Sequence, residues 1–320
     1  MTNRRQFVLG AGASATFLWG FSRSSQSARP TVGIAYALNG KGDQSYNDAA
    51  ARVLPELGRL FSINEFSPLV PTDYSRAIDI LADQRPRFIF CIGYVYDNYV
   101  DELAPNYPNT VFCVLDGAPK RAKNAVGIQF RAEEASALAG IVAADSSKTR
   151  KLGFVGGTDI PVIRKFFDGF VSGAKRFDRE ISVESSFIGA GPEAFTNASR
   201  GKDVALQLID DGADVLFHAA GHSGDGVIAA AQERGIWAVG VDVDQTHLAP
   251  KTVITNVIKR LDVAILSMAR GEIRLNSGVR TPISLGIRER GVEISPPRHP
   301  LSKRASSLLT TLRDEFDAGP

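Results

Sequence analysis

From Thr31 onward the chain alternates short apolar runs with longer segments of helical spacing, and no other feature limits its fold so closely. The runs at 31–37, 63–66, 87–93, 111–115 and 125–130 are rich in Val, Ile and Phe, as buried strands are. Between them, apolar residues recur with helical spacing at about 45–61, 73–84, 96–105 and 132–148. Pro55 must kink or divide the first helix, and Thr72-Asp73 after Pro71 reads as a helix start. A second series begins at Lys151: "KLGFVGG", "ISVESSF", "ADVLFHAA" and "WAVGVD" are strand candidates, with helices expected at 161–177, 199–211 and 224–234. Strands that alternate with helices form parallel sheets covered on both faces. Two series therefore predict two α/β lobes. After "TVITNV" the spacing predicts a helix at 256–271, weaker strands at 282–287 and 291–295, and an amphipathic helix near 300–317.

The length of 320 residues accommodates two such lobes. Residues 1–28 are set apart as an address: "NRRQFVLGAGASATFLWGFS" has a basic start, an apolar stretch and then small polar residues. The pair Arg4-Arg5 followed by Gln6, Phe7 and Val8 resembles a twin-arginine export signal; an ordinary secretory signal with two arginines is the alternative. No cysteine lies in this leader, so the expected product is exported to the periplasm, soluble and without a lipid anchor. Beyond residue 27 the chain carries 34 bases against 35 acids, a balance that argues against nucleic acid as a partner. Cys91 and Cys113 lie inside strand candidates, where small buried hydrophobes are expected; oxidation would require them to be adjacent.

In open α/β sheets, ligands gather at the carboxyl ends of strands, and the informative residues fall there. Gly42 to Asn47 follow the first strand, Asp116-Gly117 the fourth, "AAGHSGDG" a strand of the second series, and "VDVDQ" the next. No nucleophile elbow is present, because Asp225 stands where the second glycine of G-x-S-x-G belongs. The glycine-rich turns match neither phosphate-loop pattern. His218 and His222 are four apart but run from a strand into a loop, and no Cys-x-x-Cys exists, so neither a metal nor a cofactor is expected. What remains is recognition. Tyr46 supplies a ring face, Asn47 can donate and accept, Asp116 accepts from an N–H or O–H, and Asp242 can take both hydroxyls of a vicinal diol. Lys259 could reach a ligand oxygen or Asp242. A plainer reading also stands: Asp116 and Asp242 cap the segments that follow, and Tyr46 is a core residue.

Several motifs in order resemble the basic membrane protein family of substrate-binding proteins, which includes the purine nucleoside receptors of ABC importers. "GDQSYNDAA", "VFCVLDG", "RAEEASALAGIVAA", "KLGFVGGTDIPVIRKFFDGFVSGAK", the run from Gly201 to Gly235, "AVGVDVDQTHLAP" and "TVITNVIKRLDVAI" carry the likeness, which covers about Val32 to Gly291. The resemblance implies a type I periplasmic binding fold: two doubly wound parallel-sheet lobes, joined by three crossovers and closing like a hinge. It assigns 31–149 plus 254–281 to the N-terminal lobe and 150–253 plus 282–320 to the C-terminal lobe. It implies a base held between Tyr46 and Phe195, hydrogen-bonded by Asn47 and Asp116, with ribose held by Asp242 and Lys259. Asp43 and Gly221 complete the expected site; Phe195 reads equally as a hinge packing residue. Gly42 replaces the first acid of the family's pair, Tyr46 replaces a phenylalanine, and "AFTNAS" lacks the acid usual after its aromatic. The implied protein is a monomeric receptor, not an enzyme, that passes a purine nucleoside to an inner-membrane ABC permease. Alternatives are a receptor for another flat heterocycle such as a riboflavin-like ring, a ligand sensor, or a nucleoside-processing enzyme.

Overall fold

A computed structural model describes residues 29–273 and 282–319; the expected export leader lies outside them. Two six-stranded sheets form. The first contains β1 (Thr31–Ala35), β2 (Ser62–Phe66), β3 (Phe88–Ile92), β4 (Val111–Leu115), β5 (Ala125–Phe130) and β11 (Ile283–Leu285), in the order β11-β5-β4-β3-β1-β2. The second contains β6 (Lys151–Thr158), β7 (Ser182–Gly189), β8 (Val215–Ala219), β9 (Trp237–Asp242), β10 (Val253–Lys259) and β12 (Val292–Ile294), in the order β12-β10-β9-β8-β6-β7. All pairings are parallel except β12 on β10. The continuous apolar runs explain this, since β3, β4 and β8 are buried along nearly their whole length and must be covered on both faces.

Among the described residues ten α-helices cover the sheets: α1 (Tyr46–Ala51), α2 (Leu54–Leu60), α3 (Asp73–Ala82), α4 (Asp97–Leu103), α5 (Ala132–Ser146), α6 (Pro161–Phe177), α7 (Ala198–Asp210), α8 (Ser223–Arg234), α9 (Leu261–Ala269) and α10 (Lys303–Ala318). Pro55 does divide the first helical segment, and occupies the first turn of α2. The expected helix at 256–271 begins later, at Leu261, because β10 continues to Lys259 between two partner strands. Among the described residues no helix is long and apolar enough to cross a membrane.

The chain passes between the sheets three times: β5 to β6 through α5, β10 to β11 through α9, and β11 to β12. These passages lie side by side. The Arg131 N–H donates to Leu285 O at 2.8 Å and the Arg260 N–H to Gly291 O at 2.8 Å. Arg131 also pairs with Glu134 and Glu289, whose carboxylates accept from the N–H groups of Ile287 and Gly286. The three crossovers are as expected, but the lobe boundaries are not. β10, placed with the N-terminal lobe by the 254–281 assignment, pairs in the second sheet; β11, placed with the C-terminal lobe by 282–320, pairs in the first. Apolar spacing marks a strand without marking the sheet it joins. Cys91 pairs with Val114 and Phe90 with Cys113, so the two cysteines face opposite sides of their sheet. Each is a free, buried thiol.

The second lobe is held by an unusually close contact between α5 and α6. A Cβ added at Gly173 would lie 1.8 Å from Ala137 O, and one at Gly140 would lie 2.2 Å from Phe170 O. Gly58 in α2 differs, with only Ile63 Cδ1 nearby at 3.7 Å. Gly173→Ala is therefore expected to force α5 and α6 apart and to destabilise the fold by about 1–3 kcal/mol. Gly58→Ala is expected to stabilise it by about 0.5–1 kcal/mol through helix propensity. Thermal melts of the two variants against wild type check this; equal melting temperatures would refute the packing argument.

Candidate functional site

Both sheets are wound in the same way, so each has a crevice where strand order reverses, between β1 and β3 and between β6 and β8. The loops leaving these strands face one another and enclose a cavity of about 300 Å³. All eight residues expected from the sequence line it: Asp43, Tyr46, Asn47, Asp116, Phe195, Gly221, Asp242 and Lys259.

Their roles differ. Asp43 accepts from the N–H groups of Ser45 at 3.0 Å, Asn47 at 2.8 Å and Asp48 at 3.1 Å. It caps α1 and fixes the loop; burial raises its pKa while these N–H groups lower it. The Asp48 carboxylate completes the loop by accepting from the N–H groups of Gly42 and Gln44. Ser45 stands at the cap position of α1 but makes no cap with its side chain. Its hydroxyl instead donates across the cleft to Asp242 Oδ2 at 2.6 Å. Asn47 is buried, and its Oδ1 accepts from the Ala37 N–H at 2.9 Å. A backbone N–H can only donate, so this contact fixes the amide's orientation and leaves Nδ2 as the available donor.

Asp116 and Asp242 occupy corresponding places in the two lobes, Asp116 just after β4 and Asp242 as the last residue of β9. Both have left-handed backbone, with φ of 58° and 63°, which Asp tolerates better than most residues. Lys259, at the end of β10, pairs with Asp116 at 2.6 Å, not with Asp242 as one sequence reading had it. Its Nζ also lies 4.7 Å from the Phe166 ring centroid and 5.3 Å from that of Tyr46. Asp242 is 5% exposed. Burial pushes its carboxyl up to about 6, against the opposing pull of Lys259 and the Ser45 hydroxyl. The Tyr46 hydroxyl is buried without a hydrogen-bond partner among the described residues. Burial, then the charge and nearness of Asp116, then the charge of Asp242, raise its pKa well above the ordinary phenol value.

Phe195 follows β7 in the second lobe and lines the cavity. Its ring packs where Cβ atoms at Gly157 would sit, 2.3 Å from Phe195 Cε1. Gly221, at φ 55°, lies against the Phe195 backbone and side chain. Sequence reasoning missed the apolar wall that Ile160, Ile163 and Phe166 add at the start of α6. Their helical spacing is that of ordinary core residues, and gives no separate signal. It also missed Tyr94, which lines the cavity after β3. Ser45 lay inside the quoted "GDQSYN" motif and could have been found there.

His218 and His222 are engaged separately. His218 is wholly buried on β8 and lies 3.0 Å from Gln245 Oε1, with its pKa lowered by burial to about 4. His222 instead sits beside Asp225 at 3.0 Å. No group of three or more His, Cys, Asp or Glu suited to a metal occurs among the described residues.

The sequence profile of the Bmp family, described as ABC transporter substrate-binding protein PnrA-like, matches residues 40–313. Basic membrane protein D of Borreliella burgdorferi is 32% identical over 78% of this chain and 74% of its own length. The ABC transporter nucleoside-binding protein BmpA of Lactococcus lactis is 31% identical over 67% of this chain and 64% of its own. Among solved structures, an ABC transporter solute-binding protein of Aeropyrum pernix superposes with a TM-score of 0.78 at 24% identity, covering 91% of this chain and 92% of that one. The two-lobed architecture is thus that of the type I periplasmic solute-binding proteins, and the chain belongs to the Bmp family of ABC transporter substrate-binding proteins.

Proposed function

We propose that this protein captures a purine nucleoside, or a closely related purine, between its lobes in the periplasm and delivers it unaltered to an inner-membrane permease. One observation carries the reading: a single cavity joins two aromatic rings, Tyr46 and Phe195, to an amide donor, two buried carboxylates and a lysine. Rings suit the faces of a planar base, and base–aromatic stacking contributes about 1–3 kcal/mol per base. The Asn47 Nδ2 and the Asp116 carboxylate suit the polar edge of a base. Asp242, acceptor-only when ionised, suits the paired hydroxyls of ribose. The nucleoside-binding name of the Lactococcus relative supports the same reading. Micromolar affinity requires only about 8 kcal/mol net, which stacking and three or four polar anchors supply.

Capture without chemistry is supported by how the reactive groups are engaged. The Ser223 hydroxyl donates to Ala194 O and accepts from the Asn197 N–H. The Lys259 ammonium is neutralised by Asp116.

Incubation with inosine, adenosine or guanosine is expected to raise the melting temperature and to return the nucleoside intact. Release of free base and ribose would overturn the reading in favour of a hydrolase. Asp242→Ala is expected to weaken nucleoside binding by about ten- to a hundred-fold, the loss of a charged hydrogen-bond acceptor, while free hypoxanthine binding changes little. Equal weakening of both in calorimetric titrations would remove Asp242 from the sugar. Protonation removes the same acceptor. Because the Asp242 carboxyl titrates at about 6, affinity is expected to hold above that pH and fall by about ten-fold at pH 5. Asp242→Asn should abolish the slope. Stability responds in the opposite sense: a raised carboxyl pKa favours the fold as pH drops from 6 towards 4, and that gain is lost as pH rises through 6.

A further inference from the structure

We propose that Gln44 is a latch between the lobes that lies outside the ligand cavity and sets how long a bound ligand stays. The proposal rests on the chain's being a substrate-binding protein, and not on the identity of its ligand. Gln44 belongs to the first-lobe loop between β1 and α1, at φ 52°, and its own N–H is held within that lobe by Asp48 Oδ2 at 2.9 Å. Every other polar atom it has turns to the second lobe. Its carbonyl accepts from Gln245 Nε2 at 3.0 Å, its Oε1 lies 2.9 Å from His247 Nε2, and its Nε2 donates to Asp225 Oδ2 at 3.4 Å. None of these four residues lines the cavity. They close the cleft without occupying it.

The second-lobe side is fixed before contact. Gln245 is wholly buried, with its Oε1 accepting from the Val241 N–H at 2.9 Å and facing His218 Nε2 at 3.0 Å. Its own N–H donates to Asn256 Oδ1 at 3.0 Å. The Val241 contact orients the amide so that Nε2 presents to the Gln44 carbonyl. The loop bearing Gln44 meets a preset donor.

Hydrogen accounting defines what the His247 contact requires. With Asp225 ionised, Gln44 Nε2 faces that carboxylate and Oε1 faces His247, so His247 Nε2 must carry a hydrogen. His247 Nδ1 lies 3.2 Å from the Asp244 carbonyl, which can only accept. Nδ1 must therefore carry one as well. Both bonds hold at once only in the imidazolium. The charged groups around it are Asp225 and His222 from α8, Asp244 from its own loop, and Arg298, which acts on Asp244. A neutral imidazole has to give up one bond or turn the Gln44 amide oxygen towards Asp225.

The test uses the full chain, inosine as probe, and two variants. Gln44→Gly keeps the left-handed backbone and the carbonyl contact but removes both side-chain bonds. His247→Gln can still donate to Gln44, so its dissociation rate should stay close to that of wild type. By small-angle scattering, Gln44→Gly is expected to have a larger radius of gyration than wild type before inosine is added. Its inosine dissociation rate at pH 7 should rise about five-fold, with little change in association rate and an unchanged melt. Equal radii and equal dissociation rates in Gln44→Gly and wild type would overturn the latch. If inosine does not bind, the nucleoside reading fails and the scattering comparison alone decides whether Gln44 holds the lobes.

Discussion

One lysine shared between two buried carboxylates is the constraint on which the rest of the cleft depends. The side chains of Lys259 and Asp116 are 2% and 7% exposed, and their contact of 2.6 Å joins a residue of the second sheet to one following the first. A buried charge is tolerable only when paired. Lys259 satisfies one acid directly and reaches the other only through its field. Asp242 is left with a serine hydroxyl from the opposite lobe, and burial carries its carboxyl up to about 6 against the pull of Lys259 and of that hydroxyl. The closed cleft therefore contains more acceptor than donor. A guest that brings O–H or N–H groups corrects that imbalance, which is a physical reason for the lobes to close most firmly on a ligand rich in donors.

The same imbalance explains the construction of the first loop. Were Asp43 free to face the cavity, a third carboxylate would join the other two. Three backbone N–H groups at the start of α1 hold it instead. Capping by Asp43 frees the Ser45 hydroxyl from the cap position, and that hydroxyl becomes the donor for Asp242. A carboxylate that holds the loop and a serine that crosses the cleft are thus one arrangement, and the glutamine between them contacts the other lobe.

Much of the fold was legible because its signals are local. Continuous apolar runs such as "FIFCI" and "VLFHA" mark buried parallel strands, and Pro55 divides a helix wherever it occurs. The placement of site residues at strand ends was legible for the same reason: the carboxyl ends of parallel strands are where a doubly wound sheet opens. Pairing was not local. Nothing near Val253–Lys259 tells that strand which sheet to join, so the lobe boundaries were misplaced. Nothing near Lys259 names Asp116, 143 residues earlier, as its partner. Phe166 carries the spacing of a core residue and is one, since a single ring both fills the α6 interface and walls the cavity.

The Tyr46 hydroxyl remains the least satisfied group of the site, buried and without a partner among the described residues. A buried hydroxyl without a hydrogen bond is costly, about 1–3 kcal/mol by comparison with proteins in which such bonds are removed. Ionisation offers no relief, because burial and the neighbouring carboxylates hold the phenol neutral. It keeps its hydrogen, and therefore its power to donate. A phenylalanine at this position would offer a guest only a ring face; this tyrosine adds one donor at the ring's edge, beside carboxylates that can only accept. The cleft thus carries a donor of its own among its acceptors. Under the proposed function, this donor meets an acceptor on the guest's rim, such as the mixed edge of a heterocycle provides.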